Sequence, residues 1–108
     1  MKRGDFVTVA LQGNFGKPRP ALVIQSDLFD AHSSVTVLLL SSKIIDTPEF
    51  RVTVMPNVDN GLKKPSQVMV DRAVTVRRDK LGPVFGTLCP SELLEVTRRL
   101  AVFLGIAK

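Results

Sequence analysis

A chain of 108 residues and 11.8 kDa suits one domain over residues 1–108 and leaves little room for a second core. Apolar residues make up 44% and charged residues 23%, with a mean hydropathy of +0.18, so the chain has ample surface to bury and disorder is excluded as its main description. Fifteen Lys and Arg against ten Asp and Glu leave a net charge of +5, and a small basic domain attracts polyanions.

In chain order, Phe6–Leu11 is β-branched and partly alternating, which suits a strand. Gln12–Pro20 carries two Gly and two Pro and reads as a loop, with Pro18 and Pro20 holding extended backbone around Arg19. Ala21–Gln25 is a short continuous apolar run, the pattern of a buried strand. Ser26–Ser34 is a polar connection with room for a short helical turn, and Val35–Ser42 is the strongest strand in the chain. Phe50–Val54 alternates strictly. Asn60-Gly61 carries a hairpin-type turn signal. Ser66–Asp71 and Ala73–Val76 read as two strand pieces divided near Asp71-Arg72, and Pro83–Thr87 as a last short strand. The period then changes. Leu93, Val96, Leu100, Phe103 and Leu104 recur at helical spacing, widened by Leu94 and Ala101. Pro90 fits the first helical position with Cys89 as cap, and Gly105 fits the stop. Five to seven short strands and one amphipathic helix are most economically satisfied by a mainly β fold. A small antiparallel sheet, closed into a barrel and covered by the terminal helix, meets that requirement.

Residue types narrow the chemistry. Six Phe without Tyr or Trp argue against recognition by rows of stacking aromatics. One Cys excludes an intramolecular disulfide and a Cys-rich zinc site, and one His excludes His-based metal or triad chemistry, so no metal and no cofactor are expected. Met1–Asp5 has no apolar run behind its basic residues and does not read as a signal peptide, and no stretch approaches a membrane span. A cytoplasmic protein without membrane contact is expected.

Three segments carry a family resemblance. Lys2-Arg3-Gly4-Asp5 followed by Gly16-Lys17-Pro18-Arg19-Pro20-Ala21-Leu22-Val23-Ile24-Gln25-Ser26-Asp27 resembles the opening of the MazF/PemK toxins. Val68–Arg72 leading into Thr75-Val76 resembles a later strand of that family, and Leu81–Leu93 its closing strand, turn and helix. The resemblance spans nearly the whole chain. It implies an SH3-like barrel of the MazF/PemK–CcdB type with a C-terminal helix, dimeric, serving as the toxin of a type II toxin–antitoxin pair. The implied activity is metal-independent, sequence-selective endoribonuclease cleavage of single-stranded RNA. The implied partners are RNA, a second copy of the chain and an antitoxin with an acidic segment, with operator DNA reached only through that antitoxin.

Cleavage through the 2′-OH needs a proton acceptor, a group that stabilises charge on the phosphoryl oxygens and a proton donor to the leaving 5′ oxygen. Arg19 falls on the family's arginine, and its planar guanidinium grips two phosphate oxygens while staying charged. Ser42 falls at the spacing of a functional threonine, with Ser41 one step away on the opposite strand face. Asp71 matches an acidic position used for proton transfer or substrate binding. Lys17, Phe15, Gln67 and Arg72 are the expected RNA-binding residues, Phe15 by stacking on a base. Lys63-Lys64, Arg77-Arg78 and Lys80 offer a further basic track, with solvated charges as the plainer reading. His32 reads as a surface residue and Cys89 as an unreactive cap. Two departures bear on the proton steps: Met69 stands where some relatives carry a basic residue, and Gly13–Lys17 holds no His. A CcdB-like gyrase poison is the alternative, on Ile45–Pro48 and Phe103–Ile106, although its ending lacks Trp and is extended by Ala107-Lys108. A catalytically silent barrel that binds RNA or protein is a third reading.

Overall fold

Alternating apolar residues in the first two thirds of the chain are sent to opposite sides of one sheet. In a computed structural model, which describes residues 1–11 and 17–108, the strands are β1 (Asp5–Val9), β2 (Arg19–Val23), β3 (Ser34–Ser41), β4 (Arg51–Val54), β5 (Ser66–Arg77) and β6 (Leu81–Thr87). The terminal helix α1 spans Pro90–Phe103. The strands pair antiparallel in the order β4-β5-β3-β2-β1-β6. A 3₁₀ turn at Asp27–Phe29, capped by the Ser26 hydroxyl, occupies the connection where a helical turn was expected.

Period-two geometry builds two cores. Phe6, Leu22, Leu38 and Leu40 join Val52, Val54, Val68 and Val70 on one face, where α1 adds Val96 and packs Leu93 and Leu100 against them. Their strand neighbours Val7, Val9, Ala21, Val23, Val35 and Val37 form a second buried cluster, flanked by Val74, Val76 and Leu81. A Phe6–Phe85 ring stack, with centroids 5.9 Å apart, extends the first core to β6. The helix ends in a Schellman motif. Ile106 N donates to Ala101 O and Gly105 N to Val102 O, with Gly105 at φ +77°.

Four expectations change. The barrel is not closed by a ladder: β4 and β6 remain the two edges of the sheet. The loop 55–65 bridges them instead, with Thr87 N donating to Asp59 O at 2.8 Å. β5 is one strand rather than two, because the polar Asp71-Arg72 pair lies where the β3–β5 register shifts, between Leu38 and Leu40; the ladder bends there and continues. Asn60-Gly61 is not a two-residue hairpin tip, since β4 and β5 are joined by the whole 55–65 loop and Asn60 is buried inside it. The helical stripe is narrower than its sequence suggests. Leu94, Phe103 and Leu104 are all more than half exposed, because the sheet beneath α1 is reached mainly through the Leu93–Val96–Leu100 line. Pro83 is accommodated within β6 because that strand is a sheet edge.

Candidate functional site

An open cleft of about 750 Å³ lies where the starts and ends of several elements meet. Arg19 enters at the first residue of β2, opposite Val9 of β1 in the ladder. Ser41, Ser42 and Lys43 come from the end of β3 and the chain leaving it, and Thr8 comes from β1. Lys63 and Lys64 reach the cleft on the 55–65 loop, and Leu40, Leu62, Pro20 and Phe85 give it apolar walls. Four cationic side chains (Arg19, Lys43, Lys63 and Lys64) therefore line one cleft, and its described lining carries no Asp, Glu, His or Cys. Such a lining attracts and holds a polyanion, and it contains no side chain whose ordinary pKa lies near neutrality.

The loop that carries the lysines is built around Asn60. Asn60 Oδ1 accepts from Asn57 N at 3.1 Å and Leu62 N at 3.0 Å, and its Nδ2 donates to Met55 O at 2.9 Å. Gly61 sits at φ +67°, and a Cβ there would meet Phe85 O at 2.3 Å. At Gly86 a Cβ would meet Asn60 O at 2.0 Å. Loop and β6 thus touch backbone to backbone, which only glycine permits, and this contact fixes the lysine-bearing wall against Phe85.

Of the expected residues, the fold brings Arg19, Ser41 and Ser42 together. The two serines differ in what their hydroxyls do. Ser41 Oγ accepts from Lys43 N at 3.1 Å and lies 3.4 Å from Lys43 O, closing a small local turn. Ser42 is exposed, and its hydroxyl has no hydrogen-bond partner among the described residues. Lys17 is exposed two residues before Arg19 but does not line the cleft. Phe15 lies outside the described residues. Asp71 and Arg72 are exposed on β5, away from the cleft lining. They start five positions beyond Ser66, about 16 Å at the ordinary strand rise. Gln67 is 3% exposed, with its amide hydrogen-bonded inside the protein. A long polar side chain on a strand reads as surface; only the tertiary fold shows its partners.

The wider basic track divides by environment. Arg78 is an internal tie, donating from Nη2 to Asp30 O at 2.7 Å and His32 O at 2.8 Å, while Arg77 pairs with Asp79. His32 is exposed and does not line the cleft. Cys89 holds the N-cap position of α1 without a side-chain cap bond; its Sγ lies 3.2 Å from Glu92 Oε1. In the sequence Lys63 and Lys64 read only as part of a general basic track, and their place in one cleft with Arg19 depends on the folded loop, which their spacing does not reveal. Among the described residues no group of three or more His, Cys, Asp or Glu is placed to hold a metal ion, and no helix is long and apolar enough to cross a membrane.

Comparison with known proteins adds a family context to this geometry. The family model described as PemK-like, MazF-like toxin of type II toxin-antitoxin system matches residues 2–104. Across 108 residues, 99% of each chain, the protein is 43% identical to the probable endoribonuclease MazF of Mycolicibacterium smegmatis. Its fold is similar to that of an endoribonuclease solved with its cognate antitoxin from a mycobacterial species, with a TM-score of 0.83, 23% identity and coverage of 100% and 98% of the two chains. The toxin MazF-mt6 of Mycobacterium tuberculosis superposes with a TM-score of 0.79 at 24% identity, over 94% and 96% of the chains. A MazE–MazF crystal structure from Deinococcus radiodurans gives 0.77 at 22% identity, over 97% and 96%. At these identities the structural likenesses establish the fold.

Proposed function

Because the chain belongs to the PemK-like, MazF-like toxins of type II toxin–antitoxin systems, we propose that its cationic cleft cuts single-stranded RNA at short sequences without a metal ion. The observation that carries this reading is the convergence of Arg19, Lys43, Lys63, Lys64 and the Ser41–Ser42 hydroxyls on one cleft. In that reaction the ribose 2′ oxygen gives its proton to solvent water and attacks the adjacent phosphorus, the bond to the 5′ oxygen breaks as that oxygen takes a proton from water, and a cyclic phosphate and a free 5′-hydroxyl result. Charge builds on the non-bridging phosphoryl oxygens. Arg19 is the group to stabilise it, because a guanidinium matches two of those oxygens and stays protonated throughout. The lysines hold flanking phosphates, and Ser42 donates a hydrogen bond to the scissile one. The four cations provide the charge neutralisation that a divalent ion would otherwise supply.

Family membership favours this reading over a gyrase poison. A cytoplasmic location, a homodimer and an antitoxin with an acidic segment belong to the same proposal. Exposed Leu94, Val102, Phe103, Leu104 and Ile106 on and after α1 supply apolar surface for a second chain. The basic cleft offers the charge an acidic inhibitor would match. The test is incubation of the purified protein with a long unstructured RNA in EDTA, followed by mapping of new 5′ ends. Cleavage at a small set of sequences is expected, and Arg19→Ala should slow it by about 100-fold or more, the usual cost of removing a group that stabilises transition-state charge. No cleavage, or full activity in Arg19→Ala, overturns the proposal.

A further inference from the structure

Directly across the β3–β5 ladder from Ser41 stands Gln67, and the same residue faces Thr53 across the β4–β5 ladder. Its amide is fully used. Nε2 donates to Ile45 O at 2.9 Å and to Thr53 Oγ1 at 3.1 Å. Oε1 accepts from Ile45 N at 3.2 Å and from Arg51 Nη1 at 3.2 Å. Arg51 Nη1 also donates to Lys43 O at 3.2 Å. Thus one buried amide holds both backbone groups of Ile45, and the guanidinium bound to it holds the carbonyl of Lys43. The segment between is the one that leaves β3 at Ser41 and carries Ser42 and Lys43 along the cleft.

This chain segment has little else to fix it. Ile44 is half exposed and Ser42 and Lys43 are exposed, so no apolar burial sets their direction. Residues 45–51 are tied to one another by short local bonds, Thr47 N to Ile45 O and Arg51 N to Thr47 O, and join the sheet at their far end, where Phe50 O accepts from Val70 N and Arg51 opens β4. At the near end, residues 42–45, the anchor is Gln67 together with the Arg51 guanidinium. We infer that Gln67 and Arg51 form a positioning clamp for the cleft lip, setting where the Ser42 hydroxyl and the Lys43 side chain stand relative to Arg19. Neither clamp residue touches substrate: Gln67 is buried and does not line the cleft, and neither does Arg51. Both act through the residues they hold. Ser41 belongs to the same device, because its hydroxyl closes the turn onto Lys43.

The inference rests on the proposed RNA cleavage, and its test separates the two. Steady-state cleavage of an RNA oligonucleotide with one cut site is measured for the wild-type chain, Gln67→Leu, Ser42→Ala and the double variant, with the melting midpoint of each as a fold control. Displacing a group that must meet the transition state lowers kcat more than it raises KM, so Gln67→Leu should lose about 10-fold or more in kcat while KM stays within about 2-fold. A clamp that works through Ser42 has little left to position once that hydroxyl is gone. The double variant should then be within about 2-fold of Ser42→Ala, whereas independent roles would multiply the two losses. Wild-type kcat in Gln67→Leu, or multiplied losses, overturns the clamp while leaving RNA cleavage standing. A wild-type chain that cuts no RNA overturns both. Should Gln67→Leu not fold, Arg51→Gln, at a part-exposed position, removes the bond to Lys43 O and is read by the same cycle.

Discussion

Asn60 and Gln67 show how a polar side chain gains its role from what surrounds it. Asn60 is 1% exposed and satisfies three backbone groups of its own loop through its amide. Truncating it leaves those part-buried groups without partners, at roughly 1–3 kcal/mol for each that water cannot reach. Asn60→Ala should therefore lower the folding stability by about 2–3 kcal/mol, read from the urea midpoint, and an unchanged midpoint would show that the loop does not depend on it. In the sequence, Asn60-Gly61 is legible as a turn but not as the centre of an 11-residue connection, because hairpin chemistry and loop-core chemistry use the same two residues. Arg19 is legible by its two flanking prolines, which act locally. Gln67 is not, because its partners lie 14 to 22 positions away in the chain.

At the level of the element, α1 follows from its periodicity almost to the residue. Its start at Pro90 and its stop before Gly105 rest on local backbone preferences. Which side of the stripe stays wet is set by the sheet, so Phe103 and Leu104 could not be assigned from period alone. β5 fails in the opposite sense. The Asp71-Arg72 pair interrupts the apolar pattern, and continuity comes from the long ladder with β3 rather than from the strand's own residues. The helix also carries an acid-sensitive contact. Arg99 donates to Glu95 at 2.7 Å, with Arg98 at 3.7 Å, and this hydrogen bond holds the Glu95 carboxyl below the usual carboxylate range. A carboxyl whose folded-state pKa is depressed adds stability above its unfolded pKa and loses it as the pH falls through the folded value. Glu95→Gln should thus have a lower denaturation midpoint than wild type at neutral pH, and the gap should close as the pH falls through and below the ordinary carboxylate range. A gap that persists in acid would assign it to packing instead.

Taken as a whole, the molecule gathers four of its cations into one cleft, and that gathering has a measurable signature. Each single-strand phosphate neutralised contributes about 0.7 to the salt dependence of binding, so four contacts give a log–log slope of about −3. Replacing Lys63 and Lys64 together with alanine should reduce the magnitude of that slope by about 1.4, measured by fluorescence anisotropy across a salt series with a non-cleavable RNA analogue. An unchanged slope would place the phosphates elsewhere on the surface. The net charge of +5 points to a polyanion partner but not to the location, since Lys63 and Lys64 stand more than 40 residues from Arg19 in the chain and meet it only through the docked loop. That docking ties the site to the order in which the protein is made. Synthesis proceeds from the N-terminus, yet the wall formed by Phe85 and the pairing of β1 with β6 depend on residues 81–87. A nascent or truncated chain ending before Leu81 has Arg19, the serines and every cleft lysine, but no β6 for the loop to rest on. The arrangement delays assembly of the cleft until the last quarter of the polypeptide has emerged, so whatever the finished cleft does to a bound polyanion is withheld for most of the time the chain takes to be made.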